Sequence, residues 1–432
     1  MNAIRWIAAA MVAIFTLGFA QARAMARPAT LIPDIPLATS PVQERLTALG
    51  VNAAGRYLAV WDVDAGSGNF DVWGQFIALS GQKLGDPFPI ANSDKPEFAA
   101  RVAYNPQDDE FLVVYEYGYA TDDHDIRGQR VDGDSPTLVG GPLAVGVTTG
   151  DERAPDVAYL PAASQYLVAY ALDGDIWARR IARRGRGDDG GDFLGDEFPV
   201  AADPLSTESG PVVAAATHEN FFLIAYVYAF SQEDDDVMAQ RVRGEDATEG
   251  PILGEAFALA ASSERENAPA LAYSPQARAF IALWQNALPF NEDVRGRWID
   301  AGNLSNQPCF GPAFDVAADA VALERSPQVA VDSSTGQVMA TLAYAPRPDA
   351  WHRLALVQLN RDPQAATPVL QPPNLLPERN GHVLAPRIQL AAGRSAFFLG
   401  YTIQWGTRSD ADMDAYLHLA DHWRVMLPMI WQ

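Results

Sequence analysis

A seven-residue phrase recurs along this chain: DVWGQFI at 71, DIRGQRV at 125, DIWARRI at 175, DVMAQRV at 236 and DVRGRWI at 293. Repetition restricts the fold more than composition can, because each copy must belong to one unit of a repeating architecture. Before each phrase stands a β-rich run: YLAVW at 57, FLVVYE at 111, YLVAYA at 166, FFLIAYV at 221 and FIALWQ at 280. Two further runs, VMATLAY at 338 and AFFLGYT at 396, stand without a good phrase after them. Ahead of the runs lie RLTAL (45), ARVAY (100), PDVAY (155), PVVAA (211), PALAY (269), PQVAV (327) and PRIQL (386). After the phrase and a glycine-bearing loop come DPFPIA (86), GPLAVG (141), DEFPVA (196), EAFALA (255) and PAFDVA (312). Each unit therefore reads as four short strands, a to d, punctuated by turn pairs such as Asn105-Pro106 and Ser274-Pro275.

The mean period from Asp71 to Asp414 is about 57 residues, and no segment carries a 3.6-residue apolar period, so helices are not expected. Strands that are apolar on both faces need a partner on each side. The expected fold is all-β: a seven-bladed β-propeller of four-stranded antiparallel blades, with a six-bladed ring and an irregular cap as the alternative. Residues 34 to 46, DIPLATSPVQERL, resemble AFALAASSERENAP at 256 to 269. They read as a d strand that completes the last blade and closes the ring. Gly74, Gly128, Ala178, Ala239 and Gly296 share one position of strand c, where packing should be tightest. Arg353 to Leu359 and Asp414 to Ala420 hold the c positions of two degenerate units.

Units of the form FxVVW, DxYGQR, GxxF resemble repeats common in large exported bacterial proteins, often beside calcium-binding repeats. The likeness covers residues 34 to 420 and is most specific at Gly128, Gln129 and Arg130. It implies export and a propeller-like fold, and carries over no catalytic residue.

The N-terminus is consistent with export. MNAIRWIAAAMVAIFTLGFAQARAMA has a basic start at Arg5, an apolar run from Ile7 to Phe19 and small residues at Ala20, Ala22 and Ala24. That is a signal peptide, with cleavage expected after Ala22 or Ala24. The expected organisation is a signal peptide over 1–24, a leader linker over 25–33, a propeller domain over 34–422 and a tail over 423–432. No later segment has the roughly 20 apolar residues that would span a bilayer, so membrane insertion is not expected. The mature protein should be secreted or periplasmic, and monomeric. Removing residues 1–24 leaves 29 basic against 54 acidic residues and a net charge near −25, which excludes nucleic acid as a partner and leaves protein or glycan. Cys309 is the only cysteine, so no intramolecular disulfide stabilises the fold.

In an up-and-down blade the b-to-c and d-to-a connections emerge on one face. Here the former are acidic and the latter carry Glu-Arg pairs at 44–45, 152–153, 264–265, 324–325 and 378–379. Features that repeat in every blade serve the scaffold, whereas a binding site breaks symmetry. Structural ion pairs are therefore expected among Asp125, Arg130, Glu152, Arg153, Asp175, Arg180, Asp236, Arg241, Arg265, Asp293 and Arg325, with each Arg forked onto the acid that opens a c strand. DIRGQRV becomes a packing and pairing cassette, with Ile126 and Val131 in the core and Gly128 at the close contact.

No catalytic residues and no required cofactor emerge. Asp410-x-Asp412-x-Asp414 has a spacing that could hold Ca²⁺ from a loop, without the glycine and distal glutamate of a complete calcium loop. Trp351 and Trp405, in b-to-c loops, are candidate stacking surfaces for a sugar ring, against the plainer role of loop anchors. Gly185-x-Gly187-x-x-Gly190 opens no helix, and His418, four residues before His422, belongs to a strand rather than a metal-binding helix. The leading functional expectation is an exported, noncatalytic binding or scaffolding protein with an acidic face. The alternatives are a carbohydrate-active enzyme with carboxylates at the central channel, for which Glu97 and Glu116 come nearest, and a calcium-dependent adhesion protein.

Overall fold

The computed structural model describes residues 34–187, 191–231, 233–244, 250–288, 291–302, 310–377, 381–394, 396–405 and 412–421. Every regular element among them is a strand. A short β1 (Ile35–Ala38) precedes β2–β5 (Glu44–Val51, Tyr57–Gly66, Asn69–Ile77, Lys83–Ala91) and β6–β9 (Glu97–Asn105, Glu110–Ala120, Asp123–Asp132, Leu138–Gly146). Then follow β10–β13 (Glu152–Leu160, Gln165–Leu172, Asp175–Ala182, Phe193–Ala201) and β14–β17 (Glu208–Ala216, Phe221–Ala229, Asp235–Arg243, Ile252–Ala260). The chain continues with β18–β21 (Arg265–Ser274, Ala279–Ala287, Glu292–Asp300, Phe314–Ala317) and β22–β25 (Leu323–Val331, Val338–Ala345, Arg353–Leu359, Asn374–Leu375), and ends with β26–β28 (His382–Gln389, Ala396–Trp405, Asp412–Asp421).

Four sheets have four antiparallel strands each, and one continuous path has twelve. The long path resolves into groups of four, because β16 meets β18 only through the parallel pair Asp235–Arg265 and β20 meets β22 only through Glu292–Leu323. The fourth partner of β26–β28 is β1, with Ile35 opposite Leu417 and Pro36 opposite Tyr416, the pairing expected of the N-terminal strand. The first strand of each group packs beside the first strand of the next, from β2 and β6 through to β22 and β26, and β26 also touches β2. This is a propeller-like arrangement.

Burial explains why the second strands are apolar on both faces. Along β7, Phe111, Val113 and Tyr115 pack with Leu58, Val60 and Phe76 of the group before, while Leu112 and Val114 pack with Tyr166, Val168 and Tyr170 of the group after. All five β7 side chains are buried. Each contributes roughly 1.5–3 kcal/mol, and the gain exists only between neighbouring groups. The first and last groups meet the same way, through Tyr57, Ala59 and Trp61 against Phe398, Ala415 and Leu417.

The recurrent phrase divides its work. Ile126 and Val131 are buried, as expected. Gln129 has a role the sequence did not disclose: its amide donates to the carbonyls of Arg130, Val139 and Gly140, bridging the bulge between the third and fourth strands. Gln75 and Gln240 repeat the contact in their own groups. Arg130 binds Glu110 at 2.5 Å and the Ala182 carbonyl of the next group at 2.8 Å; Arg180 repeats the second contact on Arg243. Gly128 is not the close contact. A Cβ there would sit 3.4 Å from Leu112, an ordinary separation, whereas at Gly74 it would lie 2.8 Å from Ile90 and at Gly296 2.7 Å from Leu283. Leu112 and its neighbours leave the room that Ala178 and Ala239 fill in other groups.

Candidate functional site

The first strand of each group carries one local device. In β6 the pairing with β7 slips between Phe98 and Arg101, and Ala99 sits in the left-handed region at φ 55°. The same bulge recurs at Ala154, Gly210, Ala268, Ser326 and Ala385. Bulging frees an amide from the ladder, so the N–H needs another acceptor. Often that acceptor comes from the second strand of the preceding group: Asp62 accepts the Ala99 N–H (3.1 Å), Glu116 that of Ala154 (2.8 Å) and Gln285 that of Ser326 (3.3 Å). Thr402 accepts the Leu46 N–H (3.0 Å), so the last group does the same for the first.

Two residues past the left-handed position, the strands line a common cavity of about 390 Å³. Here the repeat is broken. Ala48, Val212 and Ala270 occupy the position in three strands, but Arg101, Asp156, Gln328 and Arg387 occupy it in the others. Arg387 donates from Nε to the Thr47 carbonyl at 2.7 Å and from Nη1 to Pro386 at 3.0 Å. Arg101 Nη1 donates to Ala100 at 2.9 Å and reaches the same Thr47 oxygen at 3.4 Å. Two half-buried cationic forks thus flank one carbonyl on the wall of the cavity. Burial, with Arg101 beside it, draws the Arg387 pKa down to about 9.

Opposite charges stand nearby without closing on them. Asp156 Oδ2 accepts the Val213 N–H at 2.7 Å, and burial raises its pKa despite the pull of Arg101 and Arg387. Asp62 is 3% exposed and burial raises its pKa to about 7. Neither carboxylate comes within ion-pair distance of Arg101 or Arg387. A visible signal for this cluster lay in the variable letter of ARVAY, PDVAY, PQVAV and PRIQL, at an otherwise uniform position.

The expected ion pairs are distributed differently. Arg265 binds Asp235 at 2.8 Å and Arg325 binds Glu292, each reaching the acid that opens the third strand of the preceding group, one residue before Asp236 and Asp293. Arg153 reaches Asp151 at 2.9 Å and Glu116 at 3.6 Å rather than Asp125, which pairs with Arg127 at 3.1 Å. Asp293 accepts from Asn291, and Arg241 is buried. Asp175 and Asp236 form no ion pair among the described residues, and act on Glu208 and Glu266 only through charge.

The Glu of the supposed Glu-Arg pairs is not a surface acid. Glu44, Glu97, Glu152, Glu208, Glu266 and Glu324 are all buried at one position, so the register in the fifth group is Glu266 rather than Glu264. Ser40, Ser93, Thr148 and Ser262 donate backbone N–H groups to Glu44, Glu97, Glu152 and Glu266, and Asp319 donates to Glu324, tying down the entering loop. Glu97 thus accepts the Ser93 N–H within its own entering loop, and Glu116 accepts the Ala154 N–H of the next group. His382 stands in the Glu position of the last group, its Nδ1 2.9 Å from His352 Nδ1.

Asp410 and Glu378-Arg379 lie outside the described residues. Asp414 Oδ2 accepts from Trp405 Nε1 at 2.8 Å and from the Tyr416 hydroxyl at 3.2 Å. Trp351 is half-buried, with its ring 4.9 Å from that of His382, so both candidate stacking tryptophans are anchored to neighbours. Cys309, His422 and Gly190 also lie outside the described residues. His418 pairs with Asp34 at 3.0 Å.

No family model matches the chain, and no curated protein matches it in sequence. Among solved structures, a protein of unknown function from Dyadobacter fermentans is similar at 8% identity and a TM-score of 0.53, over 90% of this chain and 99% of that one. The alpha-L-arabinofuranosidase Arb93A from Fusarium graminearum is similar at 11% identity and 0.47, over 92% and 99%, and the Dos1 propeller at 10% and 0.45, over 89% and 94%. The first likeness bears on the fold alone, and the other two are too loose to carry an argument.

Proposed function

We propose that this chain is an exported, noncatalytic binding propeller of seven blades, closed by β1, whose ligand sits in the cavity shared by the first strands. The observation that carries this reading is the broken repeat. Glu clamps, Gln bridges and bulges recur from group to group, while one cavity-facing position holds Arg in two strands, Asp in one, Gln in one and small apolar residues in the other three. Scaffold contacts have reason to repeat, and a ligand does not.

Binding is favoured over glycoside hydrolysis by the state of the nearby carboxylates. Hydrolysis needs two acids free to act on the sugar. Among the described residues Asp156 is the one carboxylate that lines the cavity, while Asp62 and Glu116 lie outside that lining and each accept a backbone N–H of the neighbouring group. The reading is tested by a glycan and small-molecule screen on the mature protein, repeated with Val212→Trp and Ala270→Trp, which fill the cavity from two sides. Binding that both substitutions abolish supports it; binding that neither changes, or turnover of any bound glycoside, defeats it. Export is tested by sequencing the N-terminus of the protein recovered outside the cytoplasm, which should begin at Arg23 or Met25.

A further inference from the structure

Resting on that reading, we infer that the cavity recognises a small oxyanion, a carboxylate, sulfate or phosphate group, held between the guanidinium groups of Arg101 and Arg387, with a hydroxyl or amino group of the same ligand directed at Asp156.

The argument begins with what the two arginines lack. Their hydrogen bonds run to the carbonyls of Thr47, Ala100 and Pro386, which are neutral acceptors. No carboxylate among the described residues lies within ion-pair distance of either one. Buried Arg130, by contrast, is compensated by the carboxylate of Glu110. Two like charges converging on one carbonyl repel each other, and an apolar surround strengthens the repulsion. Scaffold function gives no reason for this, because Ala48, Val212 and Ala270 hold the same position in other strands without loss of the strand or its bulge.

What the two arginines offer is equally specific. Arg387 Nη2, and Nε and Nη2 of Arg101, meet no protein acceptor, yet they are not among the sealed polar atoms. They open on the cavity that both residues line. Guanidinium forks present paired donors at the spacing of two oxygens of one oxyanion. Asp156 accepts the Val213 N–H through Oδ2 and is approached by the Val157 N–H, and neither of its oxygens is sealed without a partner. It is an acceptor on the same wall, which suits a ligand that carries a donor beside its anionic group. The strongly negative net charge of the chain makes a local cationic pair the more selective, since it attracts an anion only at short range.

Isothermal titration of the mature protein with glucuronate, glucose 6-phosphate, glucose and inorganic phosphate tests the inference. At least one of the two acidic sugars is expected to bind, with glucose weaker by about tenfold or more. Arg101→Gln and Arg387→Gln should each weaken it by about tenfold or more, and Arg387→Lys should restore only part, because a point charge replaces a fork. Circular dichroism of each variant confirms that it is folded, and Arg347→Gln, which removes an exposed guanidinium outside the cavity lining, serves as the control for loss of charge alone. Equal binding of glucose and glucuronate, lost on Val212→Trp, would overturn the anion assignment while sparing the cavity reading. Anion binding that survives Val212→Trp and Ala270→Trp would overturn both. Binding of phosphate alone, unaffected by Asp156→Asn, would remove Asp156 from the assignment.

Discussion

Arg130 and Glu110 are each 2% exposed and sit 2.5 Å apart, with Asp192 at 3.2 Å on the outer side. A buried pair of this kind contributes little beyond a well-packed apolar equivalent, but breaking it leaves a charge without compensation. Glu110→Gln should therefore lower unfolding free energy by about 3–5 kcal/mol in urea titration, while Glu110→Leu with Arg130→Met should recover much of it. A loss under about 1 kcal/mol for the single variant would mean that the Ala182 carbonyl and Asp192 suffice for Arg130. The glycines give a second contrast. Gly74→Ala forces Ile90 to move and should cost about 1–3 kcal/mol, whereas Gly128→Ala should change stability by no more than about 0.5 kcal/mol.

At the level of the strand, the recurring bulge and the recurring Glu clamp set the pH response. Burial raises the pKa of Asp62, Glu152 and Glu324 to about 7, and raises those of Glu97, Glu208 and Glu266. Each Glu faces the aspartate that begins a recurrent phrase in the neighbouring third strand, such as Asp71 for Glu97 and Asp293 for Glu324, which adds to the rise. Because the folded state holds these protons more tightly than the unfolded chain, their stabilising effect is complete below the ordinary carboxylate range and is lost as pH climbs through about 7. Asp108, Asp151, Asp203 and Asp332 shift the opposite way, and their contribution disappears only in acid. The melting temperature should fall from pH 5 to pH 8, and Glu152→Gln with Glu324→Gln should flatten the slope. A melting temperature that rises across that range would contradict the assignment.

At the scale of the whole molecule, the proposed closure predicts the effect of truncation. Removing residues 34–40 takes away β1 and the Ser40 contacts to Glu44, exposing the edge of β28. Such an edge invites pairing with a second chain. The truncated protein should melt lower and form dimers in analytical ultracentrifugation, and an unchanged monomer would argue against closure by β1. This strand was legible from DIPLA because it repeats the d-strand pattern of other units, and the four-strand groups were legible because turn signals and apolar runs alternate so regularly. The Glu clamps were not legible beyond their Glu-Arg spacing, because a sequence shows charge and not burial: Glu152 and Arg153 are neighbours in the chain, yet one is sealed and the other half out. The cavity cluster was overlooked for a different reason. Its members are far apart in sequence, and only stacking the first strands puts Arg101 and Arg387 on either side of Thr47.

The bulge has a further consequence for how such a protein can change. Its distorted backbone and tethered amide secure the strand from outside, so the residue two places beyond is relieved of structural duty and faces the shared interior. Positions 48, 101, 156, 212, 270, 328 and 387 thus behave as independently variable sites on a fixed frame. Diversifying them together, with every clamp left intact, should yield folded proteins with altered ligand preference.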